Sequence, residues 1–449
     1  MSLPKEARRW VNVTGLALLA LGAACLCGVG PAEADSRFGD STWVAPAEMF
    51  DSLYTANGPR VAPRDHERAW ETALRTPFRV VFYPVRLVGI GLEAAASYAG
   101  PRYFSPKAKP LPQSGVAVAP FVRIGAVNDV SLGAAATWVD FPIAASKLTI
   151  MGSWSTFDGR NARFSEVFGD QRPVGFRLGA DYDYKPDRRY YGIGNNTSKA
   201  DLSYFLLSTT NAEAAVLFGV SPRRQLRLVG GYSSMSPGSG YHGSPLLQNV
   251  FEISSVPYAT QSTQELWYGL TSDFSRLDNT REPSHGIDGR LDLRRAVGIR
   301  SSDPDYYQWR AEVRAYVPVF ARRRVIALRS VYSGVAPVSG TTTIMPFYRL
   351  PESRGSSHFA GYSSDRYRDQ QLMLARIEYR WPLIHALDVL ALYELGEVAP
   401  SAGSFTLRAA HISFGGGLRA GIGDETAFRF ELANSDEGVH AYFGVGTEF

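Results

Sequence analysis

The stretch Gly438-Val-His-Ala-Tyr-Phe-Gly-Val-Gly-Thr-Glu-Phe449 decides how the rest of the chain is read. Val439, Ala441, Phe443, Val445, Thr447 and Phe449 fall on one face of an extended strand, and His440, Tyr442, Gly444, Gly446 and Glu448 on the other. A strand has period 2, so one face is apolar and the other small or polar. A soluble edge strand gains little from an apolar face that ends on Phe449. The final strand of an outer-membrane β-barrel needs that pattern, apolar toward lipid and polar toward the lumen.

The other end of the sequence agrees. Lys5, Arg8 and Arg9 precede an uncharged stretch from Trp10 to Ala32, and Ala32-Glu-Ala34 has the small-x-small pattern of a signal-peptidase site. Residues 1–34 therefore read as a signal peptide. The stretch is long enough for an uncleaved anchor, but the cleavage pattern argues against one. Cys25 and Cys27, the two cysteines of the chain, lie in this segment, so a mature chain would have none. That suits passage through an oxidising compartment and excludes thiolate metal sites. Cleavage removes three of 47 Lys/Arg and two of 43 Asp/Glu, leaving a net charge of +3, which argues against a nucleic-acid partner.

Beyond residue 34 no apolar run is long enough for a transmembrane helix, yet the chain has 24 Phe, 23 Tyr and 43 Gly. Alternation is explicit. Gln308, Arg310, Glu312, Arg314 and Tyr316 oppose Tyr307, Trp309, Ala311, Val313, Ala315 and Val317. Arg376, Glu378 and Arg380 oppose Ala375, Ile377, Tyr379 and Trp381, and Arg429/Glu431 oppose Phe428/Phe430/Leu432. An arginine facing lipid at mid-depth costs about 2–4 kcal/mol, so the charged faces must line a wet lumen. There they would pair across strands.

The expected fold is all-β: a sixteen-stranded antiparallel transmembrane outer-membrane β-barrel over 114–449, with a short helical N-terminal segment. The strands are expected near 115–126, 130–140, 143–154, 173–185, 200–210, 212–220, 225–235, 260–275, 286–298, 304–319, 323–335, 370–381, 386–396, 405–421, 425–434 and 438–449. The links 236–259 and 336–369 would face outside. Ser221–Arg224 and Asn434–Gly438 would be periplasmic turns. Residues 35–113 read as a helical periplasmic segment, with Phe78, Val81, Phe82, Val85, Val88 and Leu92 at helical spacing and Pro84 as a kink.

Three places resemble the BamA/TamA-type outer-membrane assembly factors, or bacterial surface antigens. Arg189-Tyr-Tyr-Gly-Ile-Gly-Asn-Asn-Thr197 resembles the family's YYGIGN element, and Leu277-Asp-Asn-Thr-Arg-Glu-Pro-Ser-His-Gly286 its DxxxxPxxG turn. Gly355-Ser-Ser-His-Phe-Ala-Gly-Tyr-Ser-Ser-Asp-Arg-Tyr-Arg-Asp369 resembles its sixth extracellular loop, whose tip carries Arg-Gly-Phe/Tyr and folds into the lumen. Phe359, Ala360, Gly361, Tyr362, Arg366, Arg368 and Asp369 are the motif positions, and the C-terminal strand, with Tyr442, Phe443, Gly444, Gly446 and Phe449, resembles the family's insertion signal. Ala360 stands where the family has arginine. The acidic partner of that arginine matches Glu394, which would need Arg366 or Arg368 instead, since an unpaired buried carboxylate is costly.

Residues 35–113 do not follow the β-α-α-β-β order of the family's POTRA domains, so the resemblance is to a POTRA-less branch. It implies insertion or translocation of unfolded outer-membrane or secreted clients through a lateral seam, in contact with outer-membrane lipid. The alternative is a passive pore or lipid-handling barrel. Scattered histidines, with no HExxH, no Gly-x-Ser-x-Gly and no phosphate-binding loop, give no catalytic, cofactor or metal assignment, and no enzyme is expected.

Overall fold

The computed structural model describes residues 115–445, apart from 125–129, 170–171, 222–223, 241–244, 280–281, 320–323, 339–343, 355–358, 385–386 and 423–424. The expected signal peptide, the N-terminal helical segment and Gly446 to Phe449 lie outside the described residues. Sixteen antiparallel strands form one sheet in sequence order. They are β1 (Gly115–Ile124), β2 (Val130–Val139), β3 (Ser146–Ser155), β4 (Arg160–Phe168), β5 (Val174–Tyr190), β6 (Ser203–Ser221), β7 (Arg224–Ser239) and β8 (Thr263–Leu277). The second half holds β9 (Gly286–Gly298), β10 (Tyr306–Pro318), β11 (Val325–Pro337), β12 (Gln371–Ile384), β13 (Leu387–Ala399), β14 (His411–Ile422), β15 (Glu425–Ser435) and β16 (Gly438–Val445). Among the described residues β1 and β16 are the sheet's two edges.

The alternation sets the faces of the barrel wall. Tyr307, Val317, Ile377, Phe430, Leu432 and Phe443 are exposed on the outside, whereas Glu312, Arg376, Glu378, Arg380, Arg429 and Glu431 are buried inside. Ion pairs fill the inner face, some across strands as expected and others between i and i+2 along one strand. Arg227 meets Asp273 at 2.6 Å, Arg290 meets Asp292 at 2.8 Å, and Glu312 takes Arg310, Arg314 and Arg329 at 2.9, 2.6 and 3.0 Å.

The expected count of sixteen agrees with the structure, but two boundaries differ in compensating ways. β4 has no counterpart among the expected strands, because Arg160, Arg163 and Glu166 fall on both of its faces and blur the alternation. β6 is one continuous strand where two were expected. Asn211 reads locally as a turn residue, yet it pairs with both neighbouring strands, and its Nδ2 donates to Asp181 Oδ2 at 2.9 Å.

A third difference concerns the link between β15 and β16. Asp436 and Glu437 bond to the sixth long loop, so this link lies at the loop end and not at the opposite, turn end. Parity requires it: with sixteen strands the link before the last one is on the far side from the C-terminus.

At the turn end, Asp278 Oδ1 accepts from the main-chain N–H groups of Asn279, Ser284 and His285 at 2.9, 3.0 and 3.0 Å. Gly286 has φ +120°, and a Cβ there would stand 2.0 Å from Arg276 O, so the glycine of the DxxxxPxxG element is required by geometry.

Candidate functional site: the sixth loop docked in the lumen

The loop between β11 and β12 is the sixth at its end, and its described parts, 344–354 and 359–370, fold back onto the inner wall. Phe359, Tyr362 and Tyr367 pack with Val331, Leu372, Leu374 and Val398. Phe359 and Tyr362 stand 4.5 Å apart between ring centroids. Ala360 packs on Leu390, Leu392 and Ala433 of β13 and β15. Gly361 sits so close to the wall that a Cβ would meet Ser413 Cβ at 2.3 Å, and its carbonyl accepts from Ser435 Oγ at 2.6 Å.

Glu394, fully buried on β13, is where the loop tip meets the wall. Its Oε2 accepts from the Ala360 main-chain N–H at 2.8 Å and from Ser413 Oγ at 2.8 Å, and its Oε1 takes Arg376 Nη1 at 2.9 Å. The expected pairing with Arg366 or Arg368 is therefore corrected. The cation comes from the next strand of the wall, since Arg376 and Glu394 are direct register partners on β12 and β13. Arg376 also reaches Glu378 at 3.0 Å and Glu431 at 2.5 Å; Arg380 meets Glu378 at 2.6 Å, and Arg429 bonds both Glu378 and Glu431. This network satisfies Glu394 without any side chain from position 360. Such a network is costly to break singly, because a lone buried charge remains.

Arg366 and Arg368 point elsewhere. Arg366 donates through Nε to Glu437 Oε1 at 2.5 Å and through Nη1 and Nη2 to Thr197 Oγ1 and O at 2.6 and 2.5 Å. It also lies over the rings of Tyr191 and Tyr367. Arg368 bonds Glu352 and the Phe347 carbonyl, while its own carbonyl accepts from Gly194 N at 2.8 Å. Asp369 is buried and accepts from Gln370 N at 2.7 Å; burial pushes its carboxyl above the usual range.

Asp365 accepts from Arg354 at 3.0 Å and faces Arg188 as an ion pair at 3.5 Å. Burial favours its neutral form, but Arg354, Arg188 and Arg368 hold the carboxyl below the usual range. Thus the YYGIGN element and the sixth loop, about 170 residues apart in sequence, form one docked unit.

Several partners carry no local sequence signal. His411 stacks on Tyr367 at 4.0 Å, shares a 3.1 Å hydrogen bond with its hydroxyl and meets Asn195 O at 2.8 Å. Asp436 bonds the Tyr362 hydroxyl at 2.5 Å. Strand parity puts the β15–β16 link at the loop end, and the contacts of Asp436 and Glu437 with the sixth loop come from the tertiary structure. Of the C-terminal signal, Tyr442, Phe443 and Gly444 are described. They stand in register with Glu431, Phe430 and Arg429, and Phe443 faces outward. Tyr190 of β5 and Phe205 of β6 form a separate buried cluster with Leu247 and Val256 of the fourth loop and Phe347 and Tyr348 of the sixth.

A sixteen-stranded all-β wall with an ionic inner face and a sixth loop bolted to it defines the outer-membrane barrels with a folded-in loop. The chain belongs to the Omp85 superfamily, whose domain matches residues 152–449. It is similar in fold to BamA from Haemophilus ducreyi lacking POTRA domains 1–3, with TM-score 0.56 and 15% identity over 75% of this chain and 70% of that one. CdiB from Escherichia coli gives TM-score 0.45 and 12% identity over 73% of this chain and 61% of that one. CdiB from Acinetobacter baumannii gives 0.42 and 11% over 73% and 58%. No match was found among curated protein sequences.

Proposed function

We propose that this barrel inserts or translocates protein clients at the outer membrane of a Gram-negative bacterium, through a seam between β1 and β16. Residues 1–34 would direct export and residues 35–113 would form a helical periplasmic segment. The observation that carries the reading is the clamp of the sixth loop on the link that leads into β16. Tyr362 holds Asp436, Arg366 holds Glu437, and Ser435 holds Gly361. A loop that binds the hairpin of an edge strand can govern whether that edge is free to pair with a client strand. Clients would be unfolded outer-membrane or secreted chains.

The test uses the absence of cysteine beyond residue 27. A series of cysteine pairs, one partner within 116–121 and the other within 439–443, would lock the seam on oxidation. The expected result is loss of several other barrels from the outer-membrane proteome, restored by a reductant. An unchanged proteome in the locked variants, with a large steady conductance from the purified chain, would instead leave the passive pore or lipid-handling role.

A further inference from the structure

Toward the loop end, two outward-facing arginines, Arg160 on β4 and Arg295 on β9, flank aromatic residues on neighbouring strands. Each stands in a cross-strand row between two aromatic residues. Trp154, Arg160 and Tyr184 are register partners on β3, β4 and β5. Tyr268, Arg295 and Tyr307 are register partners on β8, β9 and β10. The Arg160 guanidinium lies 5.0 Å from the Trp154 ring centroid and 5.6 Å from that of Tyr184, and Arg295 lies 5.1 Å from Tyr307. Aromatic side chains and cations gather at the headgroup level of a bilayer, where an outward arginine costs about 0–1 kcal/mol. The two rows mark that level on two sides of the wall.

The rows differ in what their guanidiniums have left to give. Arg295 donates to Asp305 Oδ2 at 2.9 Å, to Tyr306 O at 3.4 Å and to the Ala296 carbonyl, so both of its terminal nitrogens are occupied. Arg160 meets a single partner, Asp158, through Nη2 at 3.3 and 3.5 Å, and 53% of its side chain is exposed. Its Nε and Nη1 make no hydrogen bond, and Nη2, which completes a planar fork with either of them, is held only by the long Asp158 contacts that a phosphate can displace. Stacking on Trp154 and Tyr184 holds the fork at a fixed height, which lowers the ordering cost of binding.

Resting on the outer-membrane barrel reading, we propose that Trp154, Arg160 and Tyr184 form a binding site for the phosphate headgroup of a lipid in the loop-end leaflet. The Arg295 row is a structural anchor at the same depth. Asp158 competes with the phosphate for the guanidinium and sets the affinity.

Native mass spectrometry of the full chain in detergent tests this, with dioleoyl phosphatidylglycerol and the phosphate-free dioleoylglycerol as probes. The intact chain should retain phosphatidylglycerol in preference to dioleoylglycerol. Arg160→Gln should lower that retention about fivefold, while Arg295→Gln leaves it unchanged and dioleoylglycerol retention is equal in all variants.

Asp158→Asn removes the competing carboxylate and should raise phosphatidylglycerol retention. Asp158 has φ +61°, which asparagine also adopts, and a gain cannot come from misfolding. Equal retention by the intact chain and Arg160→Gln, an equal loss in Arg295→Gln, or no gain in Asp158→Asn would each overturn the proposal. So would release by millimolar inorganic phosphate, which would mark a site for free anions.

Discussion

Arg366 of the sixth loop and Glu437 of the β15–β16 link, 71 residues apart, pair at 2.5 Å with side chains only 3% and 9% exposed. Few other side-chain bonds tie the loop to the hairpin of the edge strand. Breaking a buried pair from one side leaves an uncompensated charge and costs about 3–5 kcal/mol. Arg366→Gln or Glu437→Gln should therefore lower the urea midpoint of the chain in detergent and expose the loop to protease. The double variant Arg366→Gln/Glu437→Gln should recover part of the loss; strict additivity would show that the pair contributes no coupling.

Gly361 touches the wall where no Cβ fits, with Ser413 Cβ at 2.3 Å. Gly361→Ala must displace the tip, at a cost of about 1–3 kcal/mol, the range for overpacking. Hydrogen exchange at the Ala360 amide, held by Glu394, should quicken, while exchange along β12 stays slow.

Restoring arginine at position 360 should destabilise the docked loop. Ala360 is buried among Leu390, Leu392 and Ala433, and both oxygens of Glu394 already have donors. The urea midpoint decides: a fall is expected, and a rise would mean that Arg376 yields its place.

Asp365 gives the loop a pH limit. Its carboxyl titrates below its unfolded value of about 3.9 because of Arg354, Arg188 and Arg368. A depressed folded value contributes stability above about pH 4, lost as pH falls through the folded value. Protease sensitivity of the loop should thus rise below about pH 4. Asp365→Asn should be more sensitive than the natural chain at pH 6, and the difference should narrow as pH falls below about 4. A difference that persists at low pH would show that Asp365 acts through packing alone.

How much of this was legible in the sequence depends on the range of the interactions. Facing is a local property. Period-2 alternation placed Ile377, Phe430 and Phe443 outside and Arg376, Glu378 and Glu431 inside, because lipid and lumen impose opposite demands on adjacent residues. The sixth-loop resemblance likewise pointed to Ala360, Gly361 and Tyr362, and the loop tip does lie on Glu394.

Mixed local signals misled. The charges on both faces of β4 hid a strand, and Asn211 imitated a turn inside β6. The tertiary structure alone decided which cation serves Glu394, since that choice depends on cross-strand register, and Arg376 stands opposite Glu394 while Arg366 does not. It also decided that His411, Asp436 and Glu437 meet the loop, because these contacts bridge segments that only barrel curvature brings together. The sequence by itself determined the wall and its two faces. Register and curvature determined how the loop is held.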